Sequence, residues 1–259
     1  MRYKSKFSLY VMILVLIFLY LPLIIMAVNS FNSSRFGVDW NGFTFKWYLL
    51  LFKDYRMLQT LLRSLIIGST AMVSSMILGT IAAFTIHHFR SKLQFFQLGV
   101  MYSQLGIPDV LMGISLLLFF ILMNFKLGLF TIYIAHVTFC LGYVTLVVLG
   151  RLQDFDYSVV EAAKDLGAGW FVIFRKILIP FMMPGIIAGG LLAFTLSIDD
   201  FVITFFVTGP GSSTLPIYIY SMIKHGTPII INALSVIFLV VTFILVFISQ
   251  KLLVRGGNK

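Results

Sequence analysis

The sequence has little charge and almost no cysteine for a chain of 259 residues. Charged residues make up 11% of it and hydrophobic residues 60%, whereas an ordinary soluble domain has about 25% charged residues. So few charged side chains cannot cover a water-exposed surface of this size. The single cysteine, Cys140, excludes an internal disulfide and any zinc site built from cysteines. The composition is that of a membrane protein.

Several catalytic motifs are also absent. The sequence has no G-x-x-x-x-G-K-[ST] phosphate loop, so we do not expect this chain to hydrolyse ATP. It has no H-E-x-x-H or G-x-S-x-G motif, and its four histidines have no metal-binding spacing, which disfavours an intramembrane enzyme. The net charge of +10 does not indicate nucleic-acid binding, because the basic residues lie at the edges of apolar runs and not in one stripe.

Long apolar runs, almost free of charge, divide the sequence into six stretches. A helix needs about 20 mostly apolar residues to cross a bilayer, and each stretch is long enough. The charged residues inside them are three aspartates, one in the third stretch and two in the fifth. We therefore expect an all-α protein with a single transmembrane domain over 1–259 and membrane spans at residues 8–28, 64–86, 97–122, 129–150, 184–207 and 231–251.

The basic residues also predict an orientation. Twelve Lys and Arg residues lie at the two termini and in the loops 87–96 and 151–180, and seven lie on the opposite side. Because short cytoplasmic loops are enriched in Lys and Arg, we expect both termini to be cytoplasmic.

The predicted cytoplasmic loop 151–180 contains signals for two short helices. Ser158 and Glu161 have the spacing of a capping box, which would start the first helix. Gly167 stands where a left-handed residue would end it. A second helix is expected from Trp170, ending at Pro180, where the fifth span opens.

The first of these helices, at about residues 159–166, has a small, polar tip. Ala162 and Ala163 would let another protein approach closely, and Glu161, Lys164 and Asp165 would supply charged contacts. The pattern therefore suits a docking surface. A capped amphipathic loop without a partner remains the alternative, since a capping box is a weak motif on its own.

The same residues resemble a known family. The run from Glu161 to Ala168, with the stretches 175–180 and 184–186, resembles the EAA loop of bacterial ABC-importer permeases. The resemblance covers nearly the whole chain and is strongest to polyamine permeases, in the stretches 29–37, 45–48, 138–140 and 197–201. The chain departs from that pattern at 104–107, just before Pro108 and Asp109, and in the last external loop.

The resemblance implies a type I ABC importer permease fold in a bacterial inner membrane. It implies a heteromeric assembly with a second homologous permease subunit, two cytoplasmic ATPase subunits and an extracytoplasmic polyamine-binding protein. ATP and magnesium would be bound by the ATPase subunits, and this chain would need no cofactor. The residues that would contact the ATPase are Glu161, Ala162, Ala163, Asp165 and Gly167.

The three aspartates inside predicted spans indicate a cation pathway. A charged residue near mid-bilayer costs about 2.5–3.5 kcal/mol on insertion scales, so it usually faces a cavity or a partner. Asp199 and Asp200 are neighbours, and neighbouring helical residues point about 100° apart. One of them can therefore face the pore while the other braces a neighbouring helix. The sequence leaves that choice open, with Asp200 preferred for the pore.

For the third aspartate and for nearby aromatic residues, the sequence allows two interpretations each. Asp109 either contacts substrate or is the acidic first residue of a half-helix after Pro108. Phe201 and Phe205 would form an aromatic gate with a cation–π surface, or they simply pack in a Phe-rich helix. His136 is expected to form a hydrogen bond between helices and not to bind a ligand.

Two other transport functions remain open. A permease of the same family could carry another solute, such as an iron or sulfate complex, although acidic spans favour cations. A proton-coupled secondary carrier would use the same carboxylates without an ATPase. It would be expected to have duplicated halves, which the sequence does not show.

Overall fold

The computed structural model describes residues 6–34, 39–89, 92–226, 229–240 and 243. Within these residues the regular structure is helical, apart from one isolated antiparallel bridge between Asn32 and Phe43. The helices are α1 Lys6–Asn29, α2 Lys46–Lys53, α3 Tyr55–His88, α4 Lys92–Gly106, α5 Asp109–Leu122, α6 Leu129–Gln153, α7 Ser158–Asp165, α8 Trp170–Ile173, α9 Ile179–Asp199, α10 Val202–Val207 and α11 Leu215–Lys224, with a π-helical turn at Phe174–Leu178 and an apolar helical segment at Ile229–Val240.

Four helices are long and apolar enough to cross a membrane. They are Leu9–Asn29, Tyr55–His88, Leu129–Gln153 and the continuous helical run Trp170–Asp199. The bent pair formed by α4 and α5 would make a fifth. The prediction of an all-α membrane protein is therefore confirmed for the described residues.

The spans differ from the predicted ones in two places. The predicted third span, 97–122, is two helices that meet at an angle of 111° around Ile107 and Pro108. The predicted fifth span, 184–207, is interrupted after Asp199. Most of the last ten residues of the predicted sixth span, 231–251, lie outside the described residues, so the count of six stays a prediction.

The chain forms two compact units, Met1–Leu58 with Ile219–Lys259, and Gln59–Tyr218. In the first unit, the described side chains of α1 are mostly exposed and apolar on every side of the helix. A helix that is apolar all round requires a non-aqueous environment. After α1, the indole N–H of Trp47 donates to the carbonyl of Asn32 over 2.7 Å and closes the following loop.

The second unit is built around α6, which contacts α4, α5, α9 and α10. Close packing depends on glycines opposite the buried Val144. A Cβ on Gly79 would lie 2.8 Å from the Val144 side chain, and one on Gly189 would lie 3.3 Å from its Cα. Small residues that let helices approach closely are typical of membrane bundles. This packing holds the two regions described next.

Candidate functional site: an exposed elbow and a helix break

The first region is the elbow formed by residues 154–169, which includes α7. The predicted capping box is wrong. Tyr157 precedes the helix with helical dihedral angles, so Ser158 already lies inside the first turn and its side chain does not cap it. The Ser158 amide instead donates to the carboxylate of Asp156 over 3.0 Å. This hydrogen bond, with a second contribution from the Ser158 side chain, holds the pKa of Asp156 below its usual value.

The predicted end of α7 is confirmed. Gly167 has a φ of 81°, a left-handed conformation that glycine adopts at no cost. Its amide donates to the carbonyl of Lys164 over 2.8 Å, and the next amide, of Ala168, donates to Ala163 over 2.9 Å. Together these bonds form a Schellman motif. The elbow therefore turns sharply at Gly167, and its shape is set by its own backbone.

The residues predicted to contact the ATPase lie mostly on the exposed side of α7. Glu161, Ala162, Asp165 and Gly167 are exposed. Ala163 is half-buried and packs, on the same face as the buried Val160, against the core of the unit. Four of the five predicted contact residues are thus free to meet another molecule, while the opposite face of the helix anchors the elbow.

Sequence reasoning missed one exposed residue of the elbow. Leu166 is 89% exposed, between Asp165 and Gly167. The Leu166 amide still bonds to the carbonyl of Ala162 over 3.2 Å, so this residue keeps a helical position. At 100° per residue, that position lies about 120° around the helix from the buried Val160. The helical spacing and the glycine that follows are therefore its signals in the sequence.

The second predicted helix of the loop does not end at Pro180. The chain passes from α8 through the π-helical turn Phe174–Leu178 directly into α9. A proline within a helix lacks an amide donor and its ring crowds the carbonyl four residues earlier. A π turn loosens this spacing, and the structure places one that ends two residues before Pro180. The elbow is therefore joined to α9 by uninterrupted helical backbone.

Side chains also join the elbow to α6 and α9. The guanidinium carbon of Arg151, near the end of α6, lies 4.6 Å from the ring centre of Phe181 in α9. The ring of Phe155 packs edge-on against Phe181, with centres 4.8 Å apart, and it also contacts Tyr157 at 5.3 Å. These contacts make a path from the start of α7 to the two central helices of the unit.

The second region is the break between α9 and α10. Asp200 has an extended backbone, and its carboxylate accepts hydrogen bonds from the amides of Ile203 (3.2 Å) and Thr204 (2.8 Å). The Thr204 hydroxyl donates to the same carboxylate over 2.7 Å. Asp200 therefore caps α10 with its side chain, which explains why the predicted continuous span is interrupted here.

The two neighbouring acids have different surroundings. The side chain of Asp200 is 8% exposed and its Oδ2 lies 3.4 Å from Nε2 of His136 in α6. Asp199 is exposed. The structure gives the bracing position to Asp200, against the preference for Asp200 as the pore residue, and leaves Asp199 accessible. Contact of either acid with substrate stays a prediction.

The structure also locates the other predicted pathway residues. Asp109 is exposed in the first turn of α5, directly after Pro108, where an acid is stabilised by the helix dipole. Phe201 is half-buried and Phe205 is 49% exposed, with ring centres 5.6 Å apart. Phe206 instead packs on α5, where a Cβ on Gly113 would lie 2.7 Å from its ring. The gate and cation–π roles stay predictions.

His136 forms the hydrogen bonds between helices that the sequence predicts. It is 1% exposed, and its Nδ1 lies 2.6 Å from the hydroxyl of Ser197 in α9. Its Nε2 lies 2.9 Å from the hydroxyl of Thr204 in α10. Within the described residues no group of His, Cys, Asp and Glu side chains could hold a metal ion.

Comparison with known proteins agrees with this architecture. The spermidine/putrescine transport system permease protein PotC of Escherichia coli (strain K12) is 44% identical over 242 residues, covering 93% of this chain and 91% of PotC. The PotC protein of Haemophilus influenzae is 39% identical over 95% of this chain and 96% of its own length. The putrescine transport system permease protein PotI of Escherichia coli (strain K12) is 40% identical over 99% of this chain and 94% of PotI.

Solved structures and a family model complete the comparison. A chain of a bacterial ABC transporter involved in the import of the acidic polysaccharide alginate superposes with a TM-score of 0.76 at 16% identity, over 97% of this chain and 98% of that chain. A chain of the inward-facing MetNI methionine ABC transporter has a TM-score of 0.61 at 16% identity, over 77% of this chain and 97% of that chain. These likenesses show the fold of an ABC importer permease. Residues 75–256 match the model of the binding-protein-dependent transport system inner membrane component, and the chain belongs to that family.

Proposed function

We propose that this chain is a transmembrane permease subunit of an ATP-driven importer for polyamines, spermidine or putrescine. The observation that carries the proposal is the identity of 44% to PotC over 93% of the chain. Exposed acids at Asp109 and Asp199 support a cationic substrate, because a carboxylate in an apolar surrounding is stabilised by a passing cation.

In this proposal the elbow is the contact to a separate ATPase subunit on the cytoplasmic side. Its exposed face offers Glu161, Ala162 and Asp165, and its buried face is anchored through Val160. An element that is exposed on one side and fixed to α6 and α9 on the other can transmit a displacement of its partner to the bundle. ATP and magnesium belong to the partner, since this chain has no phosphate loop.

The full assembly is proposed to contain a second homologous permease, two ATPase subunits and an extracytoplasmic polyamine-binding protein, with both termini of this chain cytoplasmic. This chain would line half of the pathway with Asp199, Asp109, Phe201 and Phe205. Asp200 would serve the pathway indirectly, by holding the start of α10.

The test is ATP-driven uptake in proteoliposomes that contain this chain with its partner subunits. We expect labelled spermidine or putrescine to accumulate only when ATP and the ATPase subunits are both inside. A matched preparation that lacks the ATPase subunits is the control. Uptake that needs no ATPase but collapses with the proton gradient would contradict the proposal and indicate the secondary carrier.

A further inference from the structure

His136 is a buried titratable residue that the proposed function does not use. It lies in α6 and is 1% exposed, yet it contacts both sides of the helix break. Its Nδ1 is 2.6 Å from Ser197, two residues before the end of α9, and its Nε2 is 2.9 Å from Thr204 in α10. One imidazole therefore joins three helices at the point where the fifth predicted span is interrupted.

The hydrogen-bond directions form a single chain through these residues. The Thr204 hydroxyl donates to the Asp200 carboxylate, so its oxygen is left to accept from His136 Nε2–H. On the other side of the ring, Nδ1 and the Ser197 hydroxyl share a hydrogen bond of 2.6 Å. Each hydrogen in the chain then has an acceptor, and the chain ends on a carboxylate, which makes its last bond charge-assisted.

The same chain determines where the neighbouring acid lies. Asp200 has an extended backbone because its side chain returns to the amides of Ile203 and Thr204. The preceding residue, Asp199, ends α9 and is exposed. If the carboxylate of Asp200 lost its fixed partners, α10 could join α9 as a continuous helix, and Asp199 would turn with the backbone.

We propose that His136 is a positioning residue for the substrate pathway: through Thr204, and through its own Nε2 at 3.4 Å from the carboxylate, it holds Asp200 at the start of α10 and thereby keeps the helix break and the exposed position of Asp199. The role of Asp199 in a substrate pathway rests on the proposed function, whereas the effect of His136 on the helix break does not. His136 itself is buried and does not touch the substrate.

Two substitutions separate the two sides of the ring. The amide of His136→Asn ends near the position of Nδ1, so this variant can keep the contact with Ser197 and loses the reach to Thr204. The longer side chain of His136→Gln reaches the position of Nε2 and can keep the contact with Thr204. Thr204→Val removes the hydroxyl from the chain at nearly constant shape and leaves the Thr204 backbone bond to Asp200 in place.

The first readout needs no transport. A cysteine at position 199 (Asp199→Cys) is labelled with a charged thiosulfonate reagent in the assembled complex, and the rate is compared among the variants. We expect His136→Asn and Thr204→Val to change the rate about tenfold, and His136→Gln less than about threefold, from the loss of a buried hydrogen bond to a charged chain. The native Cys140 is buried and serves as the background.

A buried threonine that is not part of this chain of hydrogen bonds provides the matched control. Thr145 is fully buried in α6, and its hydroxyl bonds to Leu141 of its own helix. Thr145→Val should leave the labelling rate at position 199 unchanged. Equal rates in the parent, His136→Asn and Thr204→Val would overturn the proposal, as would an equal effect of Thr145→Val.

Uptake gives the second readout. Uptake is measured in the complex with Asp199 intact, and kcat is normalised to the amount of assembled complex. We expect His136→Asn to raise the KM for spermidine about tenfold and His136→Gln to change it less than about threefold. A His136→Asn variant that lowers only the amount of complex, with unchanged KM and kcat per complex, would show a purely structural role and overturn the proposal. If the parent complex transports no polyamine, the proposed function fails, and the labelling series still decides on His136.

Discussion

The elbow and the helix break solve the same problem, a sharp change of chain direction, with opposite means. The elbow is exposed, and its two ends are fixed by bonds between residues at most five apart, from Asp156 to Ser158 and from Gly167 and Ala168 to the end of α7. The break also has a local cap, from Asp200 to Ile203 and Thr204, but it is tied in addition to His136, which lies 61 and 68 residues from its partners Ser197 and Thr204. The difference fits the proposed roles, in which the elbow meets a partner and the break holds its shape.

This contrast predicts different consequences of damage. An exposed elbow that carries its own caps can be altered without disturbing the core, so its variants should assemble and fail in coupling. A break held by a buried polar chain cannot lose a member without leaving a donor or acceptor unsatisfied. Its variants should therefore affect stability and substrate handling together.

The largest effect is expected at the end of α7. Gly167→Pro imposes a negative φ where the chain needs 81° and removes the amide that bonds to Lys164, at a cost of about 2–3 kcal/mol. We expect the chain to insert and assemble while ATP-driven uptake is lost, measured with ATP hydrolysis in the same proteoliposomes. Gly169→Ala is the control, since Gly169 has a φ of −70° and open space around it.

Charge reversal on the exposed face should have a related effect. Glu161→Lys leaves the buried face of α7 untouched and changes only the side presented to a partner. Normal ATP-driven uptake in both Gly167→Pro and Glu161→Lys would contradict the assignment of the elbow to coupling.

The next effect separates the two acids. Asp200→Ala removes the acceptor of three hydrogen bonds at the start of α10. We expect this to lower the free energy of unfolding by about 1–3 kcal/mol, so that the purified complex unfolds at a lower temperature. Asp199→Ala removes an exposed carboxylate and should lower polyamine uptake with unchanged thermal stability. Equal thermal stabilities of the two variants would contradict the assignment of a bracing role to Asp200 and a pathway role to Asp199.

A smaller effect is expected at the exposed leucine of the elbow. Leu166→Ser removes an apolar side chain that is 89% exposed in this chain, and burial of a leucine contributes about 1.5–3 kcal/mol. We expect the ATPase subunit to bind about tenfold more weakly in a titration of the permease complex. Leu166→Met keeps the volume and should bind normally; unchanged binding of Leu166→Ser would show that the partner does not cover this residue.

The smallest effect is a pH dependence at the start of α7. Because the folded protein lowers the pKa of Asp156 below its usual value, its ionised form stabilises the elbow above the unfolded pKa, and this stabilisation is lost as pH falls through the lower, folded value. Amide exchange at Ser158 should therefore accelerate below about pH 4, after correction for intrinsic exchange. In Asp156→Ala, the Ser158 amide should exchange fast at all pH values. A pH-independent exchange rate in the parent protein would contradict the stabilising role of the hydrogen bond from Ser158 to Asp156.

The sequence predicts the elbow better than the break, for a physical reason. Gly167 ends α7 as predicted because a C-terminal glycine cap depends on neighbouring residues alone. The capping box at Ser158 and Glu161 failed, because Asp156 offers a competing acceptor two residues earlier. The helix also continues past Pro180, since a π turn accommodates the ring, and no sequence pattern announces that turn.

The break was hidden because one of its causes, His136, lies more than 60 residues away in the chain. Residues 184–207 read as one apolar run, and the interruption at Asp200 depends on Thr204 and on His136 from another helix. A sequence pattern shows that three aspartates lie in apolar segments, which predicts a cation pathway. It does not show which of two adjacent acids finds a buried partner, because that depends on tertiary packing.

The most direct test of the coupling account is the location of the exposed face of α7. Ala162→Cys places a thiol on that face, in a chain whose native cysteine is buried. We expect a membrane-impermeant maleimide to label it in inside-out vesicles, not in right-side-out vesicles, and bound ATPase subunits to protect it. Labelling from the outside, or equal labelling with and without the ATPase subunits, would contradict the account.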